Sequence, residues 1–224
     1  MKHREYLIGK PMVSLLLLFG LLSVNCVASA TVLTFGDIAI NKSGLPPYQT
    51  PIANGYGGLN WSNFYALAPD LTNNNGYVNG IVSGDQVAFN YYGNPAAVSS
   101  SQFDFNGVYL TAAWRNGLNI TVSGSLNGTL LYSRTITVNT SSPTWFAFNF
   151  NGIDSLSFSS YGGTNAGLLG DNGFGGKTIG DGTQFAMDNF TFIQAAPVPV
   201  PAAFWLFGSG IAGLLGCACR RKPM

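Results

Sequence analysis

Apolar and polar residues alternate along most of this chain in short runs with a period of two. Residues 31–40 (TVLTFGDIAI) begin such a run, and 86–92 (QVAFNYY) give another. Leu118, Ile120 and Val122 alternate with Asn119, Thr121 and Ser123, and Phe146, Phe148 and Phe150 do the same further on, continued by Leu156 and Phe158. That period places successive side chains on opposite faces of a strand, one face buried. In 130–138, Leu130, Tyr132, Ile136 and Val138 share a face, with Arg134 as the exception. Residues 102–114 and 184–194 (QFAMDNFTFIQ) complete the series. Asn-Gly pairs at 106–107, 116–117, 127–128 and 151–152, with an Asn-rich stretch at 73–76, punctuate the runs as turns. Asn127-Gly128 is the strongest hairpin signal, because both residues tolerate the left-handed backbone of a type I′ turn. Residues 42–60 hold Pro46, Pro47, Pro51 and four glycines and read as loop. The pattern predicts eight or nine short strands and no helix over 31–196, an all-β sandwich or jelly roll.

Two stretches break the period. Residues 12–22 are apolar, follow Lys2, Arg4 and Lys10, and lead to Ala28-Ser29-Ala30. This order is that of a signal peptide over 1–30, cut after Ala30 by signal peptidase. Cys26 keeps a lipoprotein alternative open, though Ser23-Val24-Asn25 fits a lipobox poorly. At the other end, 202–219 holds no charged residue, and Arg220, Arg221 and Lys222 follow at once. A helix of that length spans about 27 Å, enough to cross a hydrocarbon core, and the basic cluster marks its cytoplasmic side. Pro197, Pro199 and Pro201 form a stiff extended spacer before it. The expected organisation is therefore a signal peptide at 1–30, a β-sandwich body at 31–196 and a membrane-spanning tail at 197–224.

The charge of the body differs from the net +1 of the whole chain. Asp37, Asp70, Asp85, Asp104, Asp154, Asp171, Asp181 and Asp188 stand against Lys42, Arg115, Arg134 and Lys177, with no Glu. Nucleic acid, whose phosphates demand a basic stripe, is not an expected partner. His3, Cys26, Cys217 and Cys219 all lie in the end segments. The body thus has no His or Cys for a Ser-His-Asp triad, a Cys-His pair, a zinc site or a disulfide. The expectation is a protein that is not an enzyme. The glycine-rich loop 159–183 carries Asp171 and Asp181 and is either functional or mobile; those aspartates keep open a polysaccharide-active enzyme.

The tail, Val198, Pro199, Val200, Pro201 and Ala202 followed by the W-L-F-G-S-G run from Trp205 to Gly210, resembles the bacterial PEP-CTERM sorting signal in its V-P-x-P-A variant. Val200 departs from the Glu that many members carry there. The resemblance implies recognition by an exosortase-type membrane transpeptidase and delivery to the cell surface or extracellular matrix. In the body, residues 54–64, 103–114 and 185–192 (FAMDNFTF) also resemble bodies of that family, which look like the galactose-binding-like jelly rolls of carbohydrate-binding modules. Aromatic rings and amides suit sugars, rings covering C–H surface and amides taking hydroxyls. Tyr56, Asn60, Trp61, Asn63 and Tyr65 are the candidate glycan-binding set; the alternative is that these aromatics pack a loop onto the sandwich. The resemblance also implies a structural calcium ion near the first and last strands, with Asp37 and Asp188 as candidate ligands and Asp188 the better placed. Its alternative is a turn aspartate bonded to backbone. Three functions follow: a body that binds extracellular polysaccharide, a purely structural surface component, or the Asp-based enzyme.

Overall fold

The structure is a computed structural model that describes residues 29–44 and 46–195. The predicted signal peptide through Ala28, the sorting motif, the span at 202–219 and the basic stub lie outside the described residues. Among the described residues no helix is long and apolar enough to cross a membrane.

The elements in chain order are β1 (Thr31–Leu33), β2 (Tyr48–Pro51), β3 (Asn60–Ser62), β4 (Phe64–Ala68), one helical turn α1 (Gly76–Asn79), β5 (Val87–Asn90), β6 (Ala96–Ala112), β7 (Arg115–Leu126), β8 (Thr129–Val138), β9 (Thr144–Asn165), β10 (Leu169–Asp171), β11 (Lys177–Ile179) and β12 (Phe185–Gln194). Ten strands form one hydrogen-bonded sheet in the order β2-β4-β5-β12-β6-β9-β7-β8, with β1 added to β12 and β3 to β6; β10 and β11 form a separate hairpin. Every pairing is antiparallel. β6 and β9 run for 17 and 22 residues, and register shifts between them bend the sheet into a two-layered, sandwich-like body.

Rings from distant strands meet inside. Phe64 of β4 meets Phe158 of β9 edge-on at 5.5 Å, and Phe105 of β6 stacks between Phe148 at 5.2 Å and Phe190 at 4.8 Å. Each such buried side chain contributes about 1.5–3 kcal/mol. In β7, Leu118, Ile120 and Val122 turn inward while Asn119, Thr121 and Ser123 turn out, the alternation expected from the sequence.

Several expected boundaries move. Asn127 (φ 50) and Gly128 (φ 76) do form the β7–β8 turn. Asn106-Gly107 does not turn the chain: Gly107 lies within β6, where a Cβ would stand 2.5 Å from the Phe146 carbonyl, so glycine there serves close strand approach. Asn151-Gly152 lies inside β9, and positive φ at Asn149 (52) and Gly152 (67) kinks that strand without ending it. Gly117 (φ 71) falls within β7, already paired to β9. The first run stops at Leu33, because Phe35 (φ 60) swings its ring fully into the core. Within the expected loop at 42–60, Tyr48–Pro51 pairs with β4 as an edge strand. α1 was not expected; Asn75 caps it, its Oδ1 accepting the N–H groups of Tyr77 and Val78.

The other face of β4, β5 and β12 is also covered. Leu67, Val87, Phe89 and Ala186 form a second, smaller core there with Tyr77 and Ala113. α1 supplies Tyr77 to this outer layer.

Candidate functional site

The aromatic and amide run that the sequence offered as one sugar site is divided by strand alternation. Trp61 packs in the main core, edge-on to Phe64 at 5.6 Å and to Phe190 at 5.7 Å. Its indole Nε1–H donates to the Tyr56 carbonyl at 3.0 Å. The Tyr56 hydroxyl donates to Asp37 Oδ1 at 2.7 Å; burial first, and that bond second, push its phenol well above the usual value. Asn60 lies exposed in β3, paired with Ser99. Tyr65 alone of the five aromatic and amide residues turns to the outer face, where its ring stacks on Tyr91 at 4.0 Å and 11°. Asn63 supports that stack from behind. Its Nδ2 donates to the carbonyls of Tyr91, Asn94 and Pro95 at 3.1, 3.3 and 3.1 Å.

Tyr91 and Tyr92 sit beside a groove of about 310 Å³ on this outer face. Leu67 and Phe89 form its floor, and Tyr77 and Trp114 line it with them. The polar lining comes from Gln49, Asp70, Asn73, Asn75, Asp171 and Gln184. Tyr92 is 72 % exposed and only 4.2 Å from Tyr91 centre to centre. It holds a left-handed backbone, φ 55 and ψ 15, which costs a bulky residue about 1–2 kcal/mol. The buried amide of Asn90 fixes this bend, donating to the Asn94 carbonyl at 3.1 Å and accepting from the Phe185 N–H at 2.9 Å. A buried amide thus holds an exposed ring in a costly backbone conformation.

The opposite wall is the β10–β11 hairpin, so most of the glycine-rich loop is regular structure. Its glycines bring backbone flat against Trp114: a Cβ at Gly170 or Gly180 would lie 2.4 or 2.3 Å from the indole. Asn75 Nδ2 donates to the Leu169 carbonyl at 3.0 Å and Asn73 Nδ2 to Asp171 Oδ2 at 2.9 Å. Lys177 Nζ donates to Thr72 Oγ1 at 2.7 Å and lies 3.9 Å from Asp70. Asp181 is not in the groove lining; Arg115 binds it through two bonds of 2.7 and 3.0 Å at the hairpin base.

Two residues of this lining each carry a solvent-inaccessible acceptor without a partner. Asn73 is 6 % exposed, yet its Oδ1 has no hydrogen bond, and neither has Gln184 Oε1. Buried amide oxygens are nearly always paired, and Gln86 Oε1 and Asn106 Oδ1, outside the groove lining, are two further exceptions. The donor bonds from Thr72, ahead of the nearby Lys177, hold the Asp70 carboxyl below the usual carboxylate range.

Asp188 is fully buried. Its Oδ2 accepts the Val82 and Ser83 N–H groups, each at 2.8 Å, and its Oδ1 accepts the Asn189 N–H at 2.7 Å and the Ser83 hydroxyl at 3.3 Å. Burial pushes this carboxyl above the usual range, against the pull of those donors. A calcium shell is built of oxygens, whereas this carboxylate is ringed by N–H groups, so the donor set does not fit the ion. Among the described residues no three His, Cys, Asp or Glu side chains come together as a metal site.

Tyr91, Tyr92, Trp114, Asn73 and Gln184 are the groove residues that sequence reasoning missed. Paired tyrosines running into Gly93-Asn94-Pro95 were the one available signal. No family model matches the chain, and no curated protein matches it. Among solved structures, the chain is similar to the K1 cleaved adhesin domain of Lys-gingipain from Porphyromonas gingivalis W83, at 12% identity and a TM-score of 0.37, covering 75% of this chain and 99% of that one. It is also similar to TmCBM61 in complex with β-1,4-galactotriose, at 9% identity and a TM-score of 0.29, covering 61% of this chain and 88% of that one.

Proposed function

We propose that this chain is an exported surface or extracellular-matrix protein whose β-sandwich, of the galactose-binding-like jelly-roll kind, binds a glycan in the groove between Tyr92 and the β10–β11 hairpin. The carrying observation is the 72 % exposed ring of Tyr92, held in a left-handed backbone beside Tyr91 and the groove by the buried Asn90 amide. Aromatic faces with a few convergent polar groups suit a sugar ring. Binding without turnover is the favoured chemistry. Glycoside hydrolysis asks one carboxyl to stay protonated near neutral pH, yet Asp70 is held low, Asp171 accepts a hydrogen bond from Asn73 and Asp181 is tied to Arg115. A glycan array probed with residues 31–196 tests the reading. A saturable hit that Tyr92→Ala abolishes supports it; a blank array, or a hit that Tyr92→Ala leaves intact, overturns it.

Export and sorting rest on the two ends. Signal peptidase would remove 1–30, and an exosortase-type transpeptidase would act at the Pro199–Pro201 motif while Arg220, Arg221 and Lys222 hold the span in place. Mass spectrometry of the mature protein from its native host is the test. Loss of the tail near Pro201, blocked by Pro199→Ala with Pro201→Ala, is the expected result. A C-terminus intact at Met224 on most molecules would reduce the tail to an ordinary anchor.

A further inference from the structure

The outer face of the sheet carries a second exposed aromatic. Tyr109 of β6 and Trp145 of β9 are cross-strand partners. They lie on the side away from the main core, in step with Thr111 and Ala186 and out of step with the buried Val108 and Leu110. Trp145 is 40 % exposed. Its indole is laid over Gly107, where a Cβ would stand 2.6 and 3.0 Å from two atoms of the six-membered ring. Glycine leaves room for that pose, with one ring face on backbone and the other toward solvent. Tyr109 stands against the indole at 5.2 Å and 58°. Asp188, the partner of Tyr109 on β12, is buried and bonded to backbone N–H groups, so it presents no charge here. The groove opens on the same side of the sheet, since Leu67 and Phe89 of its floor share the outer layer with Ala186. Between groove and indole, Gly80 after α1 comes close against Ala186 and Thr111, and the Val82 and Ser83 N–H groups bind Asp188.

We propose that Trp145, edged by Tyr109, is a second carbohydrate contact, which takes the C–H face of a neutral pyranose in an extended polysaccharide. It uses none of the groove residues and rests on the glycan-binding reading above only for the class of ligand. An indole with one face on backbone and the other in water offers a sugar ring a flat apolar surface. The neighbours in the row beneath it, Ala147, Gly107 and Thr191, are small, so one ring stands clear on a neutral stretch of sheet. A single pyranose covers such a ring, whereas a stable protein partner needs about 800 Å² on each side. One stacked sugar binds weakly by itself. The groove floor on β5 and Trp145 on β9 are three strand spacings apart in the order β5-β12-β6-β9, roughly 14 Å. A polymer several units long can therefore touch both contacts at once, and the second then binds at a high effective concentration. A disaccharide can occupy only one of them.

Affinity electrophoresis of residues 31–196 through gels holding hydroxyethylcellulose, β-1,4-galactan or galactomannan, beside titration with the matching disaccharides, tests this. At least one polymer should retard the protein. Trp145→Ala should keep a cooperative melt and its disaccharide affinity, yet lose roughly tenfold or more of its affinity for that polymer. A second readout needs no change at Trp145: acrylamide quenching of tryptophan fluorescence should fall when the polymer is added, and should still fall in Tyr92→Ala. Trp145→Ala retarded as strongly as the wild type overturns the proposal. So does polymer binding that leaves the quenching in Tyr92→Ala unchanged, which would assign all of it to the groove. Disaccharides that fail, with polymer retention that Trp145→Ala abolishes, remove the groove reading and leave the indole contact standing. No retention by any of the three polymers overturns the indole contact, and the disaccharide titration then judges the groove alone.

Discussion

Tyr92 separates a residue kept for its ligand from one kept for the fold. Its backbone sits at φ 55 and ψ 15, and its side chain is 72 % exposed. Truncation to Ala removes the ring's packing on Tyr91. About a quarter of an aromatic side chain's surface is roughly 50 Å², worth about 1.3 kcal/mol. Alanine still carries the left-handed backbone, so Tyr92→Ala should lose about that much stability. Tyr92→Gly loses the same packing but sheds about 1–2 kcal/mol of backbone strain, while glycine costs about 0.5–1 kcal/mol more to order. The glycine variant should therefore be the more stable of the two by about 0.5–1 kcal/mol. For a body of this size that is roughly 1–4 °C in melting temperature. Urea unfolding and thermal melts of residues 31–196 read the first quantity, and titration with the array-identified glycan reads the second. Both variants should lose binding. Equal stability of the two variants, or glycine below alanine, would refute the strain argument. Glycan affinity retained in both would refute the role given to the ring.

Asp188→Ala should destabilise the body by about 2–4 kcal/mol, because three partly buried backbone donors and a hydroxyl lose their acceptor; chelators should not shift the wild-type melt, and a shift would restore calcium. Gly170→Ala places a Cβ 2.4 Å from the Trp114 ring, so the hairpin must lift and glycan affinity should fall roughly tenfold or more with only a small change in melting temperature. Unchanged affinity would show that the hairpin wall is not part of the site. The Thr72 donors lower Asp70 and the Arg115 guanidinium lowers Asp181, both from 3.8, so their stabilisation is complete above the ordinary carboxylate range and is lost as pH falls through the lowered values. Stability should fall on acidification below about pH 4, less steeply in Asp181→Asn, and an acid limb identical in that variant would contradict the assignment.

The local pattern was enough for the class of fold and for one turn. Alternation in 118–122 and 146–158 required a buried face on each strand, and Asn127-Gly128 supplied a hairpin that needs no distant contact. The absence of His and Cys from the body bounded the chemistry, since composition is independent of folding. The same local logic misread Asn106-Gly107 and Asn151-Gly152. Glycine serves equally for a reversal, a bulge and close strand approach, and only the neighbouring strand decides among them.

The groove belongs to tertiary structure. Val87 and Phe89 face one side of β5 and Ala88 and Asn90 the other, all buried, so no polar face announces that the sheet is covered twice. Trp61 and Tyr65 are four residues apart in sequence, yet the break at Asn63 (φ 57) sends one to the core and the other to the outer face. Asn73, Tyr92, Trp114, Asp171 and Gln184 come together because β4, β5 and β12 are neighbours in the sheet and because the hairpin glycines settle on the Trp114 indole. Periodicity reports which residues share a face of their own strand. Which strands stand side by side, and what covers the second face, is fixed by long-range pairing and by the close approach that glycine permits.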